Sequence, residues 1–204
     1  MPSRNIRRFD LPESYYHVYN RGINKAIVFA EPADKEYFLY LLSRHLSLEP
    51  VTNKQGYTYP HYRGKLELLS FCLMDNHFHL LFYQVEAGTL TEMMKSVAVA
   101  YSVYFNRKHQ RRGPLFESRF MASRISDNSY LQHISRYIHL NPRSWRRFKF
   151  SSLHYIEHWN EPDWLQTERL LALFASRTEY LEFVADYREN ARILDEIKHE
   201  LANL

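Results

Sequence analysis

The segment LELLSFCLMDNHFHLLFYQ (residues 66–84) decides how this chain is read. Leu66 to Leu73 is apolar almost throughout, as is His77 to Gln84, and the short Met74-Asp75-Asn76 joins them. Two such runs around a tight connection predict adjacent strands. Successive side chains of a strand point to opposite faces, so His77 and His79 share one face while Phe78 enters the core on the other. Two imidazoles so placed can chelate one divalent cation. In a chain with 11 histidines a His-x-His triplet also arises by chance, so its meaning depends on context.

Working outward, Ser14 to Asn20 (SYYHVYN) is aromatic and β-branched and ends at Arg21-Gly22, a strand followed by a turn. Ala33 to Leu48 carries Tyr37, Leu41, Leu42, His45 and Leu46 at helical spacing and is stopped by Pro50. Residues 51–64 are polar and broken by Gly56, Pro60 and Gly64, which predicts a loop. Downstream, Leu90 to Asn106 predicts a buried helix, Arg119 to Ile125 a fourth strand, and Asp127 an N-cap for a helix running to Pro142. The order β-α-β-β-α-β is that of an α+β, ferredoxin-like sheet with helices on one face. An irregular aromatic and basic stretch (143–165) and two helices, about 166–175 and 178–201, then form a C-terminal helical extension. Residues 1–13 are read as an N-terminal arm.

With 45% apolar residues, 204 residues suffice for one core. One cysteine, Cys72, excludes a disulfide scaffold and suits a buried thiol in a reducing compartment. No apolar stretch approaches the ~20 residues that span a bilayer, and the basic start lacks the apolar segment of a signal peptide. A soluble, cytoplasmic protein without a membrane partner is the expectation. The net charge of +4 hides an asymmetry: residues 1–156 hold 22 Lys and Arg against 12 Asp and Glu, whereas residues 157–204 hold 5 against 11. The densest basic run, Arg107 to Arg124, includes Arg111, Arg112 and Arg119 and is interleaved with Phe116 and Phe120. Cations for phosphates beside aromatic faces for bases suit a single-strand nucleic-acid groove, and equally a solvated surface over core aromatics.

The chemistry concentrates before Pro142. In Arg136-Tyr137-Ile138-His139-Leu140-Asn141, Tyr137 and Asn141 stand four apart on one helix face. The Asn141 carbonyl is a suitable third ligand beside His77 and His79, leaving positions open for phosphate oxygens and water. A tyrosine one turn away could attack a phosphodiester polarised by that metal, conserving the bond as a phosphotyrosine. A phenol of pKa about 10 needs assistance at neutral pH, from the cation and from nearby Arg136. Tyr130 is the rival nucleophile, but Ile134 four residues on cannot ligate a metal. His139, two residues from Tyr137, is roughly 200° round the helix and reads as a surface histidine. His17 reads as a satisfied core histidine that could line the site.

The segments YYHVYNRGINK (15–25), FCLMDNHFHLLF (71–82), GPLFESRF (113–120) and RYIHLNP (136–142), in this order, resemble the transposase IS200-like family of HUH single-strand DNA nucleases. Length and RYIHLNP point within it to the REP-associated tyrosine transposases. The resemblance covers roughly residues 14–142, which it implies are the nuclease domain, with 143–204 as a basic aromatic connection and acidic helices. It implies His77, His79 and Asn141 as metal ligands for Mg²⁺ or Mn²⁺ and Tyr137 as the nucleophile. It also implies a single-stranded DNA hairpin as partner and a 5′-phosphotyrosine with a free 3′-hydroxyl as products of cleavage. Arg21, Arg119 and Arg124, with Arg111, Arg112 and Arg136, are the expected DNA contacts, and the protein is expected to act as monomer or homodimer. Asp75 stands where many relatives have Pro, Met121 where many have Lys, and Arg143-Ser144-Trp145 where Val-Arg-Ala is usual. A DNA-binding regulator that keeps the fold without turnover is the alternative, against which the intact four residues speak. An RNA-binding module of this fold lacks its expected aromatics.

Overall fold

The computed structural model describes residues 10–186. The start of the N-terminal arm and the end of the last expected helix lie outside the described residues. Strands β1 (Ser14–Arg21), β2 (Leu66–Leu73), β3 (His77–Gln84) and β4 (Met121–Ile125) form one antiparallel sheet in the order β2-β3-β1-β4. Helix α1 (Pro32–Leu46) connects β1 to β2 across β3, and α2 (Thr89–Lys108) connects β3 to β4 across β1. This is the expected split β-α-β pattern of a ferredoxin-like sheet. Pro32 opens α1, where Glu31 and Asp34 form a reciprocal capping box.

One core lies between the sheet and α1 and α2. There Val18, Phe71, Phe78, Leu80 and Phe82 meet Phe38, Leu41, Leu42, Met93, Val97 and Tyr101. The two helices thus share one face, as the element order implies. The other face is also covered: Leu69, Cys72, Leu81 and Ile125 pack under α3 (Asn128–Leu140), α4 (Ser152–His158), and α6 (Arg177–Ala185), which follows the single turn α5 (Glu168–Leu171). A strand covered on both faces reads as a continuous apolar run, which explains β2 and β3. A register irregularity between Leu68 and Ser70 inserts one residue, so that Leu66 and Leu68, then Phe71 and Leu73, all reach the α1/α2 core.

The stretch 143–165, read as irregular, contains α4. Ser151 caps it by accepting a hydrogen bond from the Leu153 amide, and Leu153 and Ile156 bury its inner face. Seven residues are too few for a periodic signal. The flanking segments cover the outer edge of β2, with Leu73 N donating to Phe150 O (2.9 Å) and Gln166 N to Leu68 O (2.9 Å). Cys72 is fully buried, and burial pushes its thiol far above the ordinary range. No helix among the described residues is long and apolar enough to cross a membrane.

Candidate active site

The strand alternation places His77 and His79 on the face of β3 that α3 covers. Asp127 fixes the start of α3 by accepting from the Tyr130 amide (2.8 Å), and Leu131, Ile134 and Ile138 seat the helix in the core. That seating leaves Tyr137 edge-on to His79, with ring centroids 5.2 Å apart at 78°. One turn on, Asn141 lies at the C-terminal end of α3 with its Oδ1 3.0 Å from His77 Nε2. Two ligand atoms about 2.1 Å from one cation at a right angle would stand about 3.0 Å apart, so this pair fits one edge of an octahedral site. Imidazole nitrogen and amide oxygen suit a divalent cation of the Mg²⁺ or Mn²⁺ type. Burial lowers the pKa of His77 and carries that of His79 well below the usual histidine value. Both rings are therefore neutral at pH 7, as ligands must be. Burial raises the Tyr137 phenol, and a hydrogen bond from the Asn141 side chain partly opposes this.

The turn before His77 is clamped. Gly22 N donates to Asn76 O (2.9 Å), and Val28 N and Phe29 N both donate to Asp75 O (2.8 and 2.9 Å). The Asp75 carboxylate accepts from Lys35 Nζ (2.6 Å). So held, Asn76 brings its Oδ1 within 2.7 Å of His77 Nδ1. That fixes the ring with Nε2 toward Asn141. On the neighbouring strand, His17 is 1% exposed with its Nε2 3.0 Å from His79 Nδ1. Its expected place in the core is borne out, and it lines the site as well.

The expected DNA contacts divide. Arg21 is the cross-strand neighbour of His77 and forms an ion pair with Glu117 (3.0 Å). Arg119 is exposed, and Asn20 anchors its carbonyl and that of Ser118 to the same end of β1. Arg112 is exposed beyond the end of α2, while Arg111 is half-buried against Phe105. Arg124 lies at the other end of β4, donating to Ser14 Oγ (3.3 Å). Arg136 is fully buried, with its guanidinium 3.7 Å from the Phe183 ring centre and a hydrogen bond to Asp186 O (2.8 Å). A DNA contact from it does not fit that position, because α6 encloses the side chain. The surface reading of His139 is corrected too. It is fully buried, with Nε2 2.8 Å from Ser152 Oγ and Nδ1 2.9 Å from the Tyr180 hydroxyl. It does lie on the side of α3 opposite Tyr137, but α4 and α6 cover that side.

Glu31, Asp34 and His109 form another group with ligand atoms within 4.8 Å of one another. It lies where α1 begins and α2 ends, and the Lys108 ammonium already pairs with both carboxylates. Burial alone would raise the Asp34 pKa, yet hydrogen bonds from Lys108, His109 and two backbone amides hold it below the usual carboxylate value. A capping box tied to the end of α2 accounts for this cluster.

Residues 59–141 match the family model described as transposase IS200 like. No curated protein matches the sequence. Among solved structures, a REP associated tyrosine transposase bound to a REP hairpin shares the fold at 14% identity, with 78% of this chain and 90% of that one covered and a TM-score of 0.53. A Deinococcus radiodurans protein assigned as a transposase aligns at 16% identity over 68% of this chain and 95% of its own, with a TM-score of 0.37. The motif resemblance and this match agree: residues 59–141 of this chain are similar to the transposase IS200-like family.

Proposed function

We propose that the protein is a metal-dependent tyrosine transposase that cleaves and rejoins single-stranded hairpin DNA through a 5′-phosphotyrosine. The observation that carries this reading is the meeting of β3 and α3, with Asn141 Oδ1 3.0 Å from His77 Nε2 and Tyr137 against His79. The family match over 59–141 supports transposase chemistry, and the solved relative of the same fold is described as bound to a REP hairpin.

His77, His79 and Asn141 would hold Mg²⁺ or Mn²⁺, which would polarise the scissile phosphate. Tyr137 Oη attacks phosphorus, the phosphorus to O3′ bond breaks, and the DNA downstream of the break stays on the tyrosine through its 5′-phosphate. The phenol proton passes to solvent and the departing 3′ oxygen takes one up. Asn141 orients the phenol, and the buried contact with His79 limits the positions its ring can take. Arg21 and Arg119 at the His77 end of β1, with exposed Arg112, supply cations for the DNA backbone. Arg124 is the proposed contact at the far end of β4.

End-labelled hairpin oligonucleotides incubated with the full chain and Mn²⁺ should give a denaturation-resistant protein–DNA adduct. It should be lost in Tyr137→Phe and on chelation. An adduct that persists in Tyr137→Phe would refute the nucleophile. Binding without an adduct for any hairpin would favour a regulator without turnover.

A further inference from the structure

We propose that His17 is a positioning residue for the metal site: its Nε2 accepts the Nδ1–H of His79 and thereby holds the His79 Nε2 lone pair toward the cation. The inference rests on the metal reading above and deepens it. His79 can ligate through Nε2 only if that nitrogen carries no proton, so in the neutral ring the proton must sit on Nδ1. His79 is only 4% exposed, so a donor at its Nδ1 needs an acceptor, and the atom 3.0 Å away is His17 Nε2. His17 must then carry its own proton on Nδ1.

The two rings are stacked, with centroids 5.1 Å apart and planes 21° from parallel, so the contact fixes orientation as well as tautomer. The sheet imposes it. His17 pairs with Leu81 and Tyr19 with His79, which makes His17 and His79 diagonal neighbours on one face of β1 and β3. His77 has the equivalent partner in Asn76 Oδ1 at 2.7 Å. Each candidate histidine ligand is thus held at Nδ1 by a neighbour, which in His77 directs Nε2 toward Asn141 Oδ1.

His17 is not itself a third imidazole ligand. Among the described residues, the three histidines do not bring ligand atoms within 4.8 Å of one another, whereas Glu31, Asp34 and His109 do. Histidine ligands commonly donate their second ring nitrogen to a neighbouring acceptor, and loss of that partner costs 10- to 100-fold in metal affinity.

The test uses the full chain and Mn²⁺ alone. Titration calorimetry compares wild type with His17→Phe, which keeps a buried ring but no acceptor, and with His17→Gln, whose amide oxygen can replace Nε2. Nitrogen-15 NMR of histidine-labelled apoprotein reads the His79 tautomer. Expected are an Nδ1–H tautomer in wild type, Mn²⁺ affinity about 10- to 100-fold weaker in His17→Phe, and affinity nearer wild type in His17→Gln. An Nε2–H tautomer at His79 overturns the inference even if no variant folds. So does wild-type affinity in a folded His17→Phe. No Mn²⁺ binding by the wild-type chain overturns the metal reading together with the inference, which separates the two failures.

Discussion

Gly22→Ala tests whether the turn that aims His77 is as tightly enclosed as the structure implies. Gly22 has φ −61°, which any residue adopts, so its backbone does not require glycine. Space does. A Cβ at this position would stand 2.1 Å from Ala26 O and 2.7 Å from Val28 Cγ1. A carbon and a carbonyl oxygen need more than 3 Å, so a backbone atom must move by about 1 Å, and backbone cannot rotate away as a side-chain tip can. Overpacking of this kind costs about 1–3 kcal/mol. For a chain of 204 residues, that corresponds to a loss of roughly 2–12 °C in melting temperature, at about 2–4 °C per kcal/mol. The same segment donates Gly22 N to Asn76 O and Val28 N to Asp75 O, so the displacement reaches the residue that holds His77 Nδ1. Thermal and urea unfolding of wild type and variant give the stability term, and Mn²⁺ titration gives the effect on the site. A variant within about 0.5 kcal/mol of wild type, with equal Mn²⁺ affinity, would refute the steric argument.

Arg136→Ala should cost about 1.5–3 kcal/mol, the range for charge-assisted hydrogen bonds, and leave the salt dependence of DNA binding unchanged; urea unfolding and binding at several salt concentrations check both. Arg119→Ala should do the reverse, holding stability within about 0.5 kcal/mol while lowering the salt slope by about one. Tyr180→Phe removes the hydroxyl partner of His139 and Ser135 and should destabilise by about 1–3 kcal/mol, measured by urea unfolding. Acid should weaken the fold in part through His45. It is buried against Pro60 O and Ser96 Oγ, and burial lowers its pKa from the ordinary 6.5. Protonation then favours the unfolded chain, so stability is complete above pH 6.5 and falls as pH drops below it. His45→Gln should show a shallower loss of unfolding free energy between pH 7.5 and 5.5 than wild type.

The sheet and its two crossover helices were legible because each element carries a local signal: apolar runs around Met74-Asp75-Asn76, aromatic residues up to Gly22, and helical spacing before Pro50 and Pro142. The pairing of Tyr137 with Asn141 was legible for the same reason, since four residues on one helix are always neighbours. What the sequence did not reveal depends on contacts distant in the chain. Arg136 looks like a surface cation until Phe183 and the Asp186 carbonyl enclose it. His139 looks exposed until Tyr180 and Ser152 reach it from 41 and 13 residues away. Asn76 carried no signal at all, because its role lies in the direction of one amide oxygen. The bulge in β2 was equally hidden, as a one-residue insertion leaves an apolar run still apolar.

Those long-range contacts bear on how a tyrosine on a helix end can be held for reaction. Helix α3 reaches the sheet through Leu131, Ile134 and Ile138, but these are apolar contacts that fix burial more firmly than rotation about the helix axis. Rotation is what decides whether Tyr137 faces His79. Through its two ring nitrogens His139 bonds to Ser152 of α4, whose Oγ also meets the Phe71 backbone of β2, and to Tyr180 of α6, while Arg136 stacks on α6. Hydrogen bonds are directional where packing is not, so these partners set the angle that the core leaves loose. Residues 151–186, with their acidic surplus, therefore fix helix α3 rather than merely follow it. On the side of residues 151–186 these contacts come from the Ser152 and Tyr180 hydroxyls, the Asp186 backbone carbonyl and the Phe183 ring, so an acidic segment covers α3 without turning a carboxylate oxygen onto it in any of them.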